Sequence, residues 1–186
     1  MAAGNVMRTI RAPGRLVVDP VDFRTDYPYG GVEIGLSRAV VVQPLGAAFR
    51  VEAEGLGEAT DVLEGNTRWV VGFFLRGFDD DALTLLMSDY ADRGTVTGHA
   101  HLRIPNRAIP GASALSRAKR IAYIPDDPIN VPAVLIYRGI ADFQDGAEMA
   151  FQRGEELGLP IAIECMRDLQ GRILEIGRLA DMPQTP

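Results

Sequence analysis

Cysteine is nearly absent: Cys165 is the single one in 186 residues. One cysteine cannot form an intramolecular disulfide, and it excludes a cysteine-built zinc site. Histidine is limited to His99 and His101, tryptophan to Trp69 and lysine to Lys119. No run of 18 apolar residues occurs, so no helix read from the sequence crosses a bilayer. The N-terminal MAAGNVMRTIRAPG lacks the apolar stretch of a secretion signal. The expectation is a soluble protein made in a cytoplasm. Positive charge is in deficit, with 19 Lys and Arg against 25 Asp and Glu and a formal net charge of −6. That balance argues against a general nucleic-acid binder. Internal repeats, low-complexity tracts and domain-separating linkers are also missing.

What remains is ordinary for a folded chain: 47% apolar and 24% charged residues. A chain this long closes one good core, or at most two small ones. Residues 1–13 hold no period and end at the turn signal Pro13-Gly14, so they read as an arm. Arg15 to Pro20 (RLVVDP) is a short strand closed by proline. Val32 to Val42 is β-branched and apolar enough for a long strand, which Pro44 and Gly46 interrupt. Phe49 to Gly55 alternates apolar and charged residues, so one face is wet. The polar stretch 54–67 is either the outer part of a long hairpin or a loop. Trp69 to Gly77 (WVVGFFLRG) is apolar on both faces, which predicts a central strand buried on two sides.

One helix is expected, at about 80–92. Asp79 can cap it, and Asp80 and Asp81 suit its first turn. Leu83, Leu86, Met87 and Tyr90 form an amphipathic stripe, Phe78 and Leu83 a hydrophobic staple, and Gly94 a C-terminal cap. After it the text reads as strands again: His99 to Ile104, Ala118 to Pro125 and Ala133 to Phe143, with a long loop at 104–118. Ala147 to Arg153 fits a strand or a helix by period alone. Leu159 to Asp168 and Arg172 to Leu179 read as a hairpin. Asp168-Leu169-Gln170-Gly171 between them suits a type I turn with a left-handed glycine. The sum is a single-domain, mainly β (α+β) chain, with residues 14–182 as the domain and 183–186 as a tail.

Catalytic patterns are weighed residue by residue. His99 and His101 share one strand face, but no third or fourth metal ligand is marked nearby. Asp79-Asp80-Asp81 is accounted for by helix capping rather than by a cation, and Asp126-Asp127 by a turn between prolines. Cys165 alternates with apolar residues and reads as a buried small hydrophobe rather than a nucleophile. Ser37, Ser88, Ser113 and Ser116 lack a G-x-S-x-G elbow. Gly55 and Gly57 do not make a phosphate loop. Trp69 and the tyrosines do not interleave with basic residues. No catalytic, cofactor-binding or metal-binding residue is therefore assigned, and an enzyme is not expected. Long loops and strand edges without a catalytic constellation suit an assembly subunit, whose edges another copy can pair.

The succession of features resembles the tail tube (major tail) proteins of long-tailed bacteriophages. The match is carried by GRLVVDP, YPYGGVEIGLSRAVVVQP, the acidic glycine-bearing segment, and WVVGFFLRG running into an Asp-rich helix start. IPDDPINVPAVLIYRGIAD and EMAFQRGEELGLPIAIECMRDLQGRILEIGRLAD complete it, and it spans residues 10–182. The resemblance implies a β-sandwich or flattened barrel with one flanking helix, and makes 147–153 a strand. It implies six-membered rings stacked into a virion tube that conducts DNA without specific binding. Its partners would be further copies of itself, a tape measure, a terminator, and a baseplate or sheath. Segments 1–13, 54–67 and 104–118 would carry the contacts between copies. Two alternatives are a ring-forming terminator, connector or baseplate protein of the same fold, and a small ligand-binding β-barrel module.

Overall fold

The computed structural model describes residues 8–10, 12–46, 48–52, 59–64, 68–78, 84–86, 92–96, 99–103, 114–143 and 158–183. Among the described residues, twelve strands follow in chain order. They are β1 (Arg8–Ile10), β2 (Gly14–Val18), β3 (Val32–Leu45), β4 (Ala48–Glu52), β5 (Ala59–Glu64) and β6 (Arg68–Phe78). Then come β7 (Asp92–Val96), β8 (His99–Arg103), β9 (Lys119–Pro125), β10 (Ala133–Phe143), β11 (Leu159–Met166) and β12 (Leu174–Gly177). The chain is mainly β, as its composition of β-branched, alternating segments predicts.

Six strands close into an antiparallel barrel in the order β2-β9-β10-β11-β6-β3, with β3 returning to β2. The closing seam is long, because β3 pairs with β6 from Gly35↔Phe78 to Leu45↔Arg68. Closure satisfies the backbone groups that an open sheet would leave at its edges. The period of two sorts side chains cleanly. Leu16 and Val18, Val71, Phe73 and Leu75, Ile121 and Tyr123, and Ile161, Ile163 and Cys165 belong to one buried cluster inside the barrel. A six-stranded barrel is narrow, and these side chains fill it.

Both long strands change partners along one edge. β3 pairs first with β2, over Val32 to Ser37, then with β1, over Val40 to Val42. β10 pairs first with β12, over Ala133 to Ile136, then with β11, over Arg138 to Phe143. A register shift between Ile136 and Gly139 marks the change in β10. The shift brings Gly139 so close to the interior that a Cβ there would lie 2.5 Å from the Ile163 methyl. Only glycine fits that approach.

Several sequence expectations need correction. The arm at 1–13 contains β1, which hydrogen-bonds to β3. Pro44 does not interrupt the long strand, which runs on to Leu45 with Pro44 opposite Trp69. The segment 54–67 contains β5, paired with β4, so the hairpin reading is the one that holds. Of the helix expected at 80–92, Thr84 to Leu86 are helical, but Asp92 already opens β7. Gly94 is no helix cap: it lies in β7 opposite His101. Leu86, 3% exposed, belongs to the barrel's core cluster, and Leu85 packs against it. The loop at 104–118 includes a 3-10 turn at Ala114–Arg117. Residues 104–113 and the ambiguous 147–153 lie outside the described residues.

The C-terminal hairpin is the most instructive correction. The turn forms as its residues predict: Gly171 has φ +80°, its N–H donates to Asp168 O at 3.2 Å, and Asp168 N–H donates to Arg172 O at 2.8 Å. Yet β11 and β12 do not pair with each other. Both pair antiparallel with β10, so they run the same way, end to end. The turn is a closed detour in one edge of β10 rather than a reversal of the chain.

Candidate functional site

The outward-facing residues of the barrel divide into two walls on opposite sides. On the β2-β9-β10 wall, Val17, Ala122, Ile124, Ala133, Leu135 and Tyr137 form a second buried cluster. The chain covers this wall itself. Phe23 and Tyr29, from the loop after β2, pack on it, as do Leu179 and Met182 from the C-terminal end.

Arg120 on β9 fastens that cover. Its guanidinium donates to Pro20 O at 3.1 Å and to Pro183 O at 2.8 Å. It also lies 5.8 Å from the Phe23 ring centroid and 5.9 Å from that of Tyr137. One side chain thus ties the loop and the C-terminal end to the wall, through charge-assisted hydrogen bonds and cation–π contacts. Asp19, at φ 51°, donates its N–H to Arg120 O at 2.7 Å and accepts from Arg120 N–H at 3.1 Å. Those two bonds hold a left-handed non-glycine residue in place.

Below the cover, Tyr137 donates to Glu175, and the Arg172 guanidinium stacks on the Tyr137 ring at 4.0 Å. Burial, with the Glu175 carboxylate adding to it, pushes the Tyr137 hydroxyl up to about 12. Arg172 donates from Nε to Asp168 at 2.8 Å and from its backbone N–H to Asp168 at 2.7 Å. Burial raises the Asp168 carboxyl, but the bonds from Arg172 outweigh it and hold the group below the usual carboxylate range. Each polar group here is engaged by another, so the cluster locks the 168–172 detour and leaves no activated acid or base.

The β3-β6-β11 wall differs. Val71, Phe73 and Leu75 point inward and are buried, but Val70, Gly72 and Phe74 on the outer face are only half-buried. β6 is central, with β3 and β11 on its two edges, yet it is not buried on both faces as its apolar sequence predicts. A groove of about 260 Å³ runs across this wall, lined by Ala39, Val41 and Gln43 of β3, Gly72 and Phe74 of β6, and Pro160 and Ala162 of β11, among others. Gly72 pairs with Val41 on one side and Ala162 on the other, so it forms the floor. Arg68 and Arg76 stand two residues beyond Val70 and Phe74 on the same strand face. Arg68 forms an exposed 3.4 Å ion pair with Glu164.

Two turns display aliphatic side chains. In the β9–β10 turn, Asp127 accepts from the N–H groups of Ile129 and Asn130 at 3.3 Å each, and from the Asn130 side chain at 2.8 Å. The turn holds Ile129 out at 81% exposure. The 168–172 detour holds Leu169 out at 95%. Beside Ile129 lies a second concavity of about 400 Å³, lined by Phe23, Pro128, Ile129, Arg178, Leu179 and Ala180.

Among the described residues, those weighed for catalysis are not brought together. Cys165 faces the barrel interior, 5% exposed, and burial pushes its thiol up to about 12, so it is no nucleophile. Ser37 is buried and donates to Ala39 O at 3.0 Å within β3. His99 and His101 lie two apart on β8, opposite Val96 and Gly94. Asp126 and Asp127 occupy the β9–β10 turn, while Asp79–Asp81, Ser88, Ser113, Gly55 and Gly57 lie outside the described residues. Among the described residues, no group of three His, Cys, Asp or Glu is placed to hold a metal ion. The groove's signal in the sequence is the two-sided apolar pattern of WVVGFFLRG, which predicts burial on both faces. No protein-family model matches the chain, and no curated protein matches it.

Proposed function

We propose that this chain is a structural subunit that assembles with copies of itself into stacked rings, as tail tube proteins of long-tailed bacteriophages do. The observation that carries this reading is the pair of two-stranded ribbons, β4-β5 and β7-β8, each a sheet of its own. A two-stranded ribbon is marginal by itself in water and presents unpaired edges. Strands of neighbouring copies complete such edges by β-augmentation. The net charge of −6 also suits a conduit for DNA, since an acidic lumen repels phosphate. The side chains that fill the barrel interior disfavour a ligand held inside it.

Electron microscopy of the purified protein tests the proposal. Long tubes are the expected product; single rings would move the assignment to a terminator or connector. Replacing Ala48 to Glu64 by a short Gly-Ser link removes the β4-β5 ribbon and leaves all six barrel strands. That variant is expected to remain folded and stay monomeric. Normal tubes from it would refute the role given to the ribbon.

A further inference from the structure

The groove on the β3-β6-β11 wall has a glycine floor that no described neighbour requires. Gly72 has no left-handed backbone, and a Cβ placed on it would come no nearer than 4.0 Å to Val41. Neither its backbone conformation nor any described neighbour calls for glycine there. Glycine in a strand interior costs about 0.5–1 kcal/mol relative to alanine. Among the uses of a strand glycine is to let a ligand or another backbone approach closely.

Charge and shape together indicate the occupant. Arg38, Arg68 and Arg76, all exposed, stand around the wall, whose described acidic groups are Glu164, paired with Arg68, and Glu33 near the start of β3, paired with Arg15. The β9–β10 turn, at one end of the other wall, carries exposed Asp126 and Asp127 next to the projecting Ile129, with Arg178 lining the concavity beside it. We propose that a second copy of this chain seats its β9–β10 turn in the Gly72 groove, with Ile129 on the glycine floor and its aspartates toward the arginine rim. Projection and groove are different surfaces, so the contact is heterologous and each copy can both give and receive. Such contacts propagate, closing into a ring when the rotation allows. The inference rests on the self-assembly reading above and names the surfaces that carry it.

Sedimentation of the wild type and two variants tests it, with urea unfolding as the control for folding. Gly72→Val fills the groove but keeps the turn; Ile129→Ser keeps the groove but loses the projection. Each alone is expected to associate at least tenfold more weakly than the wild type, with an undiminished unfolding midpoint. An equimolar mixture is expected to form dimers and nothing larger, because one usable projection meets one usable groove. If folded variants assemble as the wild type does, the groove contact is wrong while self-assembly stands. If Ile129→Ser alone prevents assembly, the turn docks elsewhere and the proposal fails. A Gly72→Cys/Ile129→Cys double variant detects weak contacts, since the two sites cannot join within one chain. Under mild oxidation a ladder of linked chains is expected. A wild type that stays single, with no ladder, overturns both the contact and the self-assembly reading.

Discussion

The two outer walls of the barrel are built from strands of similar apolar content, yet they meet different fates. On the β2-β9-β10 wall, Leu135 is fully buried because Phe23, Tyr29, Leu179 and Met182 pack over its cluster. On the β3-β6-β11 wall, Val70, Gly72 and Phe74 keep part of their surface open. A strand's apolar outer face therefore says that something covers it, not that the cover comes from the same chain. The sealed wall uses the chain's own loop and end, fastened by Arg120. The open wall offers a shaped groove instead.

The largest expected effect contrasts one residue from each wall. Leu135→Ala should cost about 2–5 kcal/mol of unfolding free energy, as full burial implies. Val41→Ala, on the open wall, should cost about 1 kcal/mol or less in the monomer. Urea denaturation of both variants below the association range measures the difference. Equal losses would erase the distinction between the walls.

Arg120→Met should come next, at about 2 kcal/mol, since it removes two charge-assisted hydrogen bonds while keeping much of the packing. Hydrogen exchange should accelerate in the loop after β2 and around Met182, but not in β6. Uniform acceleration would mean that Arg120 supports the barrel rather than the cover.

A smaller effect is expected in alkali. Tyr123 is pushed up to about 12, first by burial and then by Asp126, and Tyr137 to about 12 by burial and Glu175. Both folded values lie above the ordinary tyrosine value of about 10. Between those two values the unfolded chain loses protons that the folded chain retains. Stability from these groups should thus be whole below about pH 10 and decline toward pH 12. Tyrosinate absorbance should show Tyr123 and Tyr137 titrating late together with Tyr27 and Tyr29, whose hydroxyls burial also raises, and Tyr137→Phe should remove one late hydroxyl. The smallest effect is expected at the detour. Asp168 has a depressed carboxyl, so its contribution is present at neutral pH and fades as pH falls through its folded value. Faster amide exchange at Gln170 and Arg172 in acid, absent in Asp168→Asn, would register it.

Much of the barrel was legible in the sequence because its strands carry their own period. Ile161, Ile163 and Cys165 face inward together, and Leu16 and Val18 do the same. Turn chemistry was legible too: Asp127 and Asp168 organise their turns through the short side-chain bonds expected of them. The expected helix end at 92, with Gly94 as its cap, fails because Asp92 to Val96 pairs with β8. The groove was hidden for a related reason. An apolar outer face reads the same whether an internal loop or nothing described lies over it.

Alternation by itself determined which side of each strand turns inward, and a few Asp and Gly residues determined where the chain bends. Those signals are local, set by side-chain direction along the pleat and by backbone angles within a few residues. Only the tertiary structure decided that β11 and β12 share β10 instead of each other, that β3 closes onto β6, and which outer wall is sealed. Hydrogen-bond partners are chosen among segments far apart in the chain, and a strand's pattern is compatible with many neighbours. Barrel closure selects one set of them, because it leaves no main-wall edge unpaired.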